Sequence, residues 1–116
     1  MRYDEFSFGR VRIDGKQFEY DVIVDRGRVA KRKKKFSKKF REEFGHTPLS
    51  LEESIPWKCS QLIIGTGAYG RLPVMPDVRA EAERRGVKLL VLPTVQAIAF
   101  LKKEPKKTNA ILHVTC

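Results

Sequence analysis

Apolar and polar residues alternate over the first third of the chain in the pattern of β-strands. The alternating runs are separated by Asp14-Gly15 and by residues 25–27, and their apolar members are Phe8, Val11, Ile13, Phe18, Tyr20, Val22, Val24 and Val29. Asp-Gly between two such runs favours a hairpin, because the type I′ turn needs positive φ at both central residues. The pattern predicts a three-stranded antiparallel meander over residues 7–33.

A different period follows. Phe36, Phe40 and Phe44 recur every four residues, which keeps them on one stripe of a helix that Gly45 would end. The lysines of this segment would then point outward. After a turn, Ser50 is a plausible N-cap, and Glu53 three residues later would complete a capping box. A second, short helix is therefore predicted here.

From residue 61 onward, strand and helix patterns alternate. Strands are predicted at 61–64, 87–92 and 109–114, and helices at 76–85 and 94–103. Pro76 suits a first helical turn, Gly86 a helix end, and Thr94 an N-cap. Such an order implies right-handed crossovers and a largely parallel sheet.

These patterns predict an α/β fold in which a strand-helix-strand-helix-strand half packs with an N-terminal antiparallel β ribbon. With 116 residues, of which 41% are hydrophobic, the chain is expected to form a single domain. Its parts are the meander (1–35), a basic segment with a short helix (36–59) and the βαβαβ unit (60–116). No signal peptide or membrane span is evident, so a cytoplasmic protein without membrane association is expected. We expect this protein to be a monomer or a weak homo-oligomer.

The net charge of +10 originates in one stretch of the chain. Residues 26–41 hold ten Lys or Arg and no acidic residue, whereas the remainder has 14 basic and 14 acidic residues. One interpretation is a nucleic-acid-binding face that neutralises phosphates without sequence specificity. The other is a solvated surface covering an aromatic anchor. The candidate contacts for nucleic acid are Lys31, Arg32, Lys33, Lys34, Lys35, Lys38, Lys39 and Arg41.

Three glycines, Gly65, Gly67 and Gly70, match the spacing G-x-G-x-x-G. In dinucleotide-binding proteins this pattern leads directly into a helix, and an acidic residue follows the next strand. Here Pro73 and Pro76 oppose an immediate helix, and no carboxylate follows the strand that ends at residue 92. A tight-packing turn, or a site for some other anion, fits better, and no cofactor is predicted.

Ligands of open parallel sheets bind at the carboxyl ends of the strands. Main-chain N–H groups, two threonine hydroxyls and one imidazole could converge there, forming a pocket for a small anion or a peptide carboxylate. The candidate residues are Gly65, Thr66, Gly67, Gly70, Arg71, Thr94 and His113.

The sequence contains no recognised catalytic or metal-binding motif. It has neither a G-x-S-x-G elbow nor a Walker lysine. His46 has no neighbouring ligand residues, so it is interpreted as a loop histidine. His113 and Cys116 should project to opposite faces of a strand. A binding or assembly module with an unidentified protein partner is favoured over an enzyme, which stays open.

Several short motifs in the second half resemble one family. They are residues 64–67 (Ile-Gly-Thr-Gly), 70–72 (Gly-Arg-Leu), 91–94 (Val-Leu-Pro-Thr) and 112–116 (Leu-His-Val-Thr-Cys). They resemble a family of uncharacterised single-domain proteins that includes the third mitochondrial complex I assembly factor and an adipogenesis-associated cytosolic protein. The resemblance implies a three-layer α/β fold with a mixed sheet and an extra β ribbon. It implies no activity or cofactor.

Overall fold

The computed structural model describes all residues from Met1 to Cys116. It contains eight strands, a 3₁₀ helix (Lys34–Phe40) and three α-helices. The helices are α1 (Arg41–Phe44), α2 (Pro76–Arg84) and α3 (Thr94–Leu101). The strands are β1 (Tyr3–Ser7), β2 (Arg10–Ile13), β3 (Lys16–Phe18), β4 (Val22–Asp25), β5 (Arg28–Lys31), β6 (Gln61–Thr66), β7 (Lys88–Leu92) and β8 (Thr108–His113).

The main sheet has five strands in the order β5-β4-β8-β6-β7. β6 pairs in parallel with both β7 and β8, and β4 pairs antiparallel with β5 and β8. The predicted mixed sheet is thus confirmed. In the parallel part, Thr66 lies beside His113, so the carboxyl ends of β6 and β8 meet at one edge, next to the start of β4.

The predicted meander was wrong in one respect: its strands belong to two sheets. β1, β2 and β3 form a separate antiparallel sheet, while β4 and β5 join the main one. The chain leaves the strand conformation over residues 19–21, where Asp21 turns inward. The hairpin at Asp14-Gly15 is confirmed, with φ of 51° and 78° as a type I′ turn requires.

The basic segment folds as a 3₁₀ helix followed by one turn of α-helix, and Gly45 ends it in the left-handed conformation with φ of 75°. The predicted phenylalanine stripe was wrong for Phe36, which is 47% exposed. A 3₁₀ helix has three residues per turn, so positions four apart do not align. Ser37 is the residue of this helix that is buried.

The predicted helix at Ser50 was wrong as well. A hydrogen-bonded turn stands there instead, closed by the Glu53 N–H donating to the Ser50 carbonyl at 3.2 Å. Both side chains are buried. They bind partners from other segments, so they do not form the capping box.

The main sheet is covered on both faces, which gives three layers. On one face, α3 and the small N-terminal sheet enclose a core that includes Ile63 and Leu112. On the other, α2 and the segment around Leu49 enclose a core that includes Ile64 and Ile111. β6 and β8 are therefore apolar on both sides, as central strands require. No helix is both long and apolar enough to cross a bilayer.

Candidate functional site

A buried ion cluster lies beside the carboxyl end of β8. The guanidinium of Arg32, which is 3% exposed, donates to Asp21 at 2.9 Å and to both carboxylate oxygens of Glu53 at 2.7 and 2.9 Å. It also donates to the carbonyl of Pro48 at 3.0 Å. A planar fork suits this arrangement, since a guanidinium offers five donors in one plane.

Two serines complete the polar surroundings of Glu53. The hydroxyls of Ser37 and Ser50 lie 2.6 Å apart, and Ser37 donates to Glu53. Every buried polar atom among the side chains has a hydrogen-bond partner. The cluster thus joins the 3₁₀ helix, the turn at Ser50 and the end of β5.

His113 extends this cluster towards solvent. Its Nδ1 lies 2.8 Å from an oxygen of Asp21, and its Nε2 lies 3.2 Å from the hydroxyl of Thr115. The other oxygen of Asp21 accepts from the Val114 N–H at 2.9 Å. A carboxylate only accepts hydrogen bonds, so Nδ1 carries a proton, and in a neutral imidazole Nε2 is then the acceptor.

The surroundings shift the acidity of two groups in the cluster. Burial opposes the ionisation of Asp21, but the hydrogen bond from His113, together with the Val114 N–H and Arg32, holds the pKa of this carboxyl below its ordinary value. Burial likewise opposes the charge on Arg32, but Glu53 and Asp21 raise the pKa of its guanidinium. Asp21 is therefore held as a carboxylate behind the imidazole.

In front of His113 lies a depression of about 360 Å³, which we call the basic pocket. Six of its lining residues carry cationic or titratable nitrogen side chains: the buried Arg32 and His113, and the exposed Lys34, Lys38, Arg41 and His46. Thr115 lines it too, and no Asp or Glu does. Coulomb attraction within such a partly enclosed space favours an anion.

A second depression of about 520 Å³ adjoins it, which we call the lysine groove. It shares four residues with the basic pocket: Arg32, Lys34, Lys38 and Thr115. Lysines 31, 33 and 35 also line it, together with Tyr20 and the acidic Glu19 and Asp21. The structure thereby brings the basic segment next to the carboxyl end of β8. Arg32 also lies in the wall of both depressions, but it differs from its neighbours because its guanidinium is buried and paired with Asp21 and Glu53.

The glycine loop, residues 65–70, uses its N–H groups within the chain. Gly67 donates to Thr94 Oγ1 at 2.8 Å, Ala68 to the Thr115 carbonyl at 2.7 Å, and Tyr69 to the Cys116 carbonyl at 3.0 Å. Glycine is needed at 67 because a Cβ would lie 2.3 Å from the carbonyl carbon of Cys116. The loop therefore packs against residues 115–116 and forms a support behind the basic pocket.

Thr66 and Thr94 are also engaged inside the protein. Thr66 donates to the Leu92 carbonyl at 3.1 Å, and Thr94 donates to the His113 carbonyl at 2.7 Å. The predicted N-cap role of Thr94 was wrong, since the N-cap of α3 is Pro93 and makes no side-chain cap. The hydroxyl of Thr94 is used to join β6 to β8.

Gly70 and Arg71 lie on the outer side of the loop. Gly70 has φ of 66° and packs near Pro93. The guanidinium of Arg71 lies 5.8 Å from the ring centroid of Tyr69, which is 70% exposed. Neither residue lines the basic pocket. Of the predicted anion-site residues, the structure brings only His113 to that pocket.

Asp21, Glu53 as an ion partner, and Thr115 were not predicted from the sequence. One signal was present: Asp21 interrupts an otherwise apolar run between Tyr20 and Val22. An acidic residue at the start of a buried strand needs a partner. Nothing local identified that partner as His113, 92 residues away.

Comparison with known proteins agrees with this architecture. A family described as "Protein of unknown function (DUF498/DUF598)" matches residues 3–113, nearly the whole chain. The chain belongs to this family. Among curated proteins, none matches it.

Members of this fold have been solved. A conserved hypothetical protein from Pyrococcus horikoshii OT3 shares 30% identity, with full coverage of both chains and a TM-score of 0.82. The protein named MT938 shares 25% identity over 98% of this chain and 97% of its own, with a TM-score of 0.68. An Mth938-like domain from Bordetella pertussis, at 15% identity, covers 97% and 84% and has a TM-score of 0.63. The family resemblance inferred from the sequence is thus confirmed, and no activity accompanies it.

Proposed function

We propose that this family member is a binding module for a small anion, such as a phosphate-bearing ligand, which it takes up in the basic pocket. One observation carries the proposal: Lys34, Lys38, Arg41 and His46 line a single depression that no acidic side chain lines. The nearby carboxylates of Asp21 and Glu53 share the guanidinium of Arg32. One negative charge is left over, which does not outweigh the three charges of Lys34, Lys38 and Arg41.

The donors in this pocket suit an oxyanion. Lysine ammonium groups and imidazole N–H groups donate to oxygen, and charge-assisted hydrogen bonds of this kind are about twice as strong as neutral ones. The Thr115 hydroxyl lines the same wall, and its proton is directed to His113 Nε2. We therefore propose that the anion binds to the solvent-facing side chains of the basic pocket and not to the Gly-Thr-Gly loop, because the N–H groups of residues 67–69 are already bonded within the chain.

Inorganic phosphate and pyrophosphate, titrated at constant ionic strength, test the proposal. We expect amide chemical shifts to change at His46, His113 and Thr115, and the response to weaken at least about tenfold in Lys34→Gln/Lys38→Gln, because two charge-assisted contacts are lost. Lys102→Gln/Lys106→Gln is the matched control, since it removes the same charge from exposed positions elsewhere. Equal binding by both variants would contradict the proposal.

Nucleic-acid binding is the second candidate, and it is favoured by two exposed rings beside lysines: Tyr20, which lines the lysine groove, and Phe36 of the 3₁₀ helix. Tyr20 is 39% exposed with Lys31 Nζ 5.2 Å from its ring centroid, and Phe36 is 47% exposed with Lys35 Nζ 5.3 Å from its own. Proteins that bind single strands combine cationic grooves with exposed rings on which bases stack.

A generic RNA and a generic DNA duplex, titrated at low and at physiological salt, test this candidate. Lys31→Gln/Lys33→Gln/Lys35→Gln removes groove charge but leaves Lys34, Lys38 and the buried Arg32 in place. Binding through the groove should weaken in this variant, and the salt slope should fall by up to about 0.7–0.9 per lost phosphate contact. Salt-independent binding would exclude the nucleic-acid role and leave the phosphate titration unaffected.

A further inference from the structure

The residues between the buried cluster and the basic pocket form a chain of three side chains. Asp21 contacts His113 Nδ1 at 2.8 Å, and His113 Nε2 contacts Thr115 Oγ1 at 3.2 Å. Asp21 and His113 are buried, whereas Thr115 is partly exposed and lines both the basic pocket and the lysine groove. This row of three side chains therefore begins in the protein interior at Asp21 and ends at the Thr115 hydroxyl, which a ligand can reach.

A carboxylate, an imidazole and a hydroxyl in this order form the arrangement that activates a hydroxyl as a nucleophile. A hydroxyl within hydrogen-bond reach of an imidazole, which a carboxylate orients from behind, is the arrangement that defines acid, base and nucleophile in unrelated folds. Arg32 holds Asp21 in place at 2.9 Å. The carboxylate can thus stabilise the imidazolium that forms when His113 accepts a proton.

Charge that develops on an attacked carbonyl oxygen also has one backbone donor beside Thr115, the N–H of Cys116, a residue that lines the same pocket. The Thr115 carbonyl accepts from the Ala68 N–H at 2.7 Å. Because the peptide is planar and trans, the Cys116 N–H points to the opposite side, away from the glycine loop. The N–H of the residue that follows a nucleophile is a common oxyanion donor.

We propose that Asp21, His113 and Thr115 form a hydrolytic site for carboxylic esters whose acyl part carries an anionic group. Thr115 is the nucleophile, His113 the general base and acid, and Asp21 the positioning residue. Lys34, Lys38 and Arg41 hold the anionic group of the substrate. The inference rests on the proposed anion site for its substrate preference, but the three-residue chain stands on its own geometry.

The reaction balances with water as the sole co-reactant. The Thr115 hydroxyl proton passes to His113 Nε2 while Oγ1 forms a bond to the acyl carbon. The bond from that carbon to the leaving oxygen breaks, and the leaving oxygen takes the proton from Nε2. Water then repeats the sequence: it loses a proton to Nε2, attacks the acyl carbon and releases the Thr115 hydroxyl, which recovers its proton. Nothing is oxidised or reduced.

Two chromogenic esters test the inference in the full chain: 4-nitrophenyl succinate, whose acyl part is anionic, and the neutral 4-nitrophenyl acetate. We expect Thr115→Val, which is nearly isosteric, to reduce the rate on both esters by about 10²-fold or more, because nucleophile and proton transfer are lost together. Thr115→Ser should keep the activity, since it keeps the hydroxyl. Thr108→Val, at the opposite end of β8, is the matched control and should hydrolyse both esters like the parent chain.

The fold and the covalent step are measured separately. Circular dichroism establishes that Thr115→Val is folded, and a fluorophosphonate probe followed by peptide mass mapping identifies the residue that is labelled. Label on Thr115 that His113→Gln abolishes supports the inference. Label on Cys116 or a lysine, or an unchanged rate in Thr115→Val, overturns it.

The same measurements keep this inference distinct from the proposed anion site. Lys34→Gln/Lys38→Gln should lose the preference for the succinate ester at least about tenfold while keeping hydrolysis of the acetate, because only a charge-assisted contact with the acyl group is removed. If Thr115→Val binds phosphate and hydrolyses both esters as fast as the parent chain, the anion site is supported and the hydrolytic site is refuted. If the parent chain does not bind phosphate but hydrolyses the acetate, the anion site is refuted and the hydrolytic site is supported.

Discussion

The carboxylate of Asp21 and the imidazole of His113 meet at 2.8 Å across 92 positions of sequence. They are brought together by the antiparallel pairing of β4 with β8, in which Val22 lies opposite Leu112. Extending that register by one residue at each end places Asp21 beside His113. The contact therefore depends on sheet topology and joins the buried ion cluster to the surface pocket.

Arg32 should matter more for stability than any other cation of the basic segment. Arg32→Met would leave Asp21 and Glu53 buried without their shared partner, and breaking a buried pair in this way costs about 3–5 kcal/mol. Urea unfolding measures the loss. Lys33→Met, at an exposed neighbouring position, is the control and should change the free energy of unfolding by less than about 0.5 kcal/mol. Similar values for both variants would contradict the structural role of Arg32.

Acid should destabilise the protein through Asp21. The pKa of this carboxyl is lowered from 3.8 in the folded chain, so folding favours the ionised form. The stabilisation by ionised Asp21 is fully present at pH values above the pKa of this carboxyl in the unfolded chain. It is lost as the pH falls through the lower pKa of the folded chain. His113→Asn removes the first of the interactions that lower this pKa, so its acid transition should move to higher pH. The free energy of unfolding of the parent chain and of His113→Asn, measured from pH 7 to pH 2, tests this. Loss of stability at the same pH in both proteins would contradict the prediction.

Gly67 should tolerate no side chain. In Gly67→Ala, the new Cβ would stand 2.3 Å from the Cys116 carbonyl carbon and 2.6 Å from the Thr115 oxygen, in backbone with φ of 105°. Because these are backbone atoms, something must move, and we expect a loss of about 3 kcal/mol or more. Gly27→Ala is the control: its φ is 81° with no atom within 4 Å, so it should cost only about 1–2 kcal/mol. Thermal unfolding separates the two, and equal losses would show that the close approach is unimportant.

Thr94 should stabilise the junction of β6 and β8. Its hydroxyl accepts from the Gly67 N–H at 2.8 Å and donates to the His113 carbonyl at 2.7 Å. Thr94→Val leaves both groups buried without a partner, at about 1–3 kcal/mol for each, and amide hydrogen exchange at Gly67 should accelerate. Thr108 makes its hydroxyl hydrogen bond at an exposed site, so Thr108→Val should leave the Gly67 exchange rate unchanged. Slow exchange at Gly67 in Thr94→Val would refute the bridging role.

Local patterns were sufficient wherever the physics is local. Periodicity and backbone preference within a few residues predicted the apolar runs of β6, β7 and β8. They also predicted the start of α2 at Pro76, its termination before Gly86 and the Asp14-Gly15 turn. The parallel part of the sheet followed from their order, since parallel strands need crossover helices, whereas the mixed sheet was implied by the family resemblance. The family could be identified from the short motifs around the glycine loop and the last strand.

Only the tertiary structure decided what the polar residues do. Arg32 reads as one more cation in a basic run, and Ser50 with Glu53 reads as a capping box, because composition carries no information about distant partners. In the fold, Arg32 turns inward to Glu53 at 2.7 Å, and a buried charge must be paired where it lies. The same long-range pairing of β4 with β8 places Asp21 behind His113 and Thr115 before it. The elements were thus determined by the sequence through local backbone and burial preferences, whereas the site was determined by contacts that exist only once the sheet has formed.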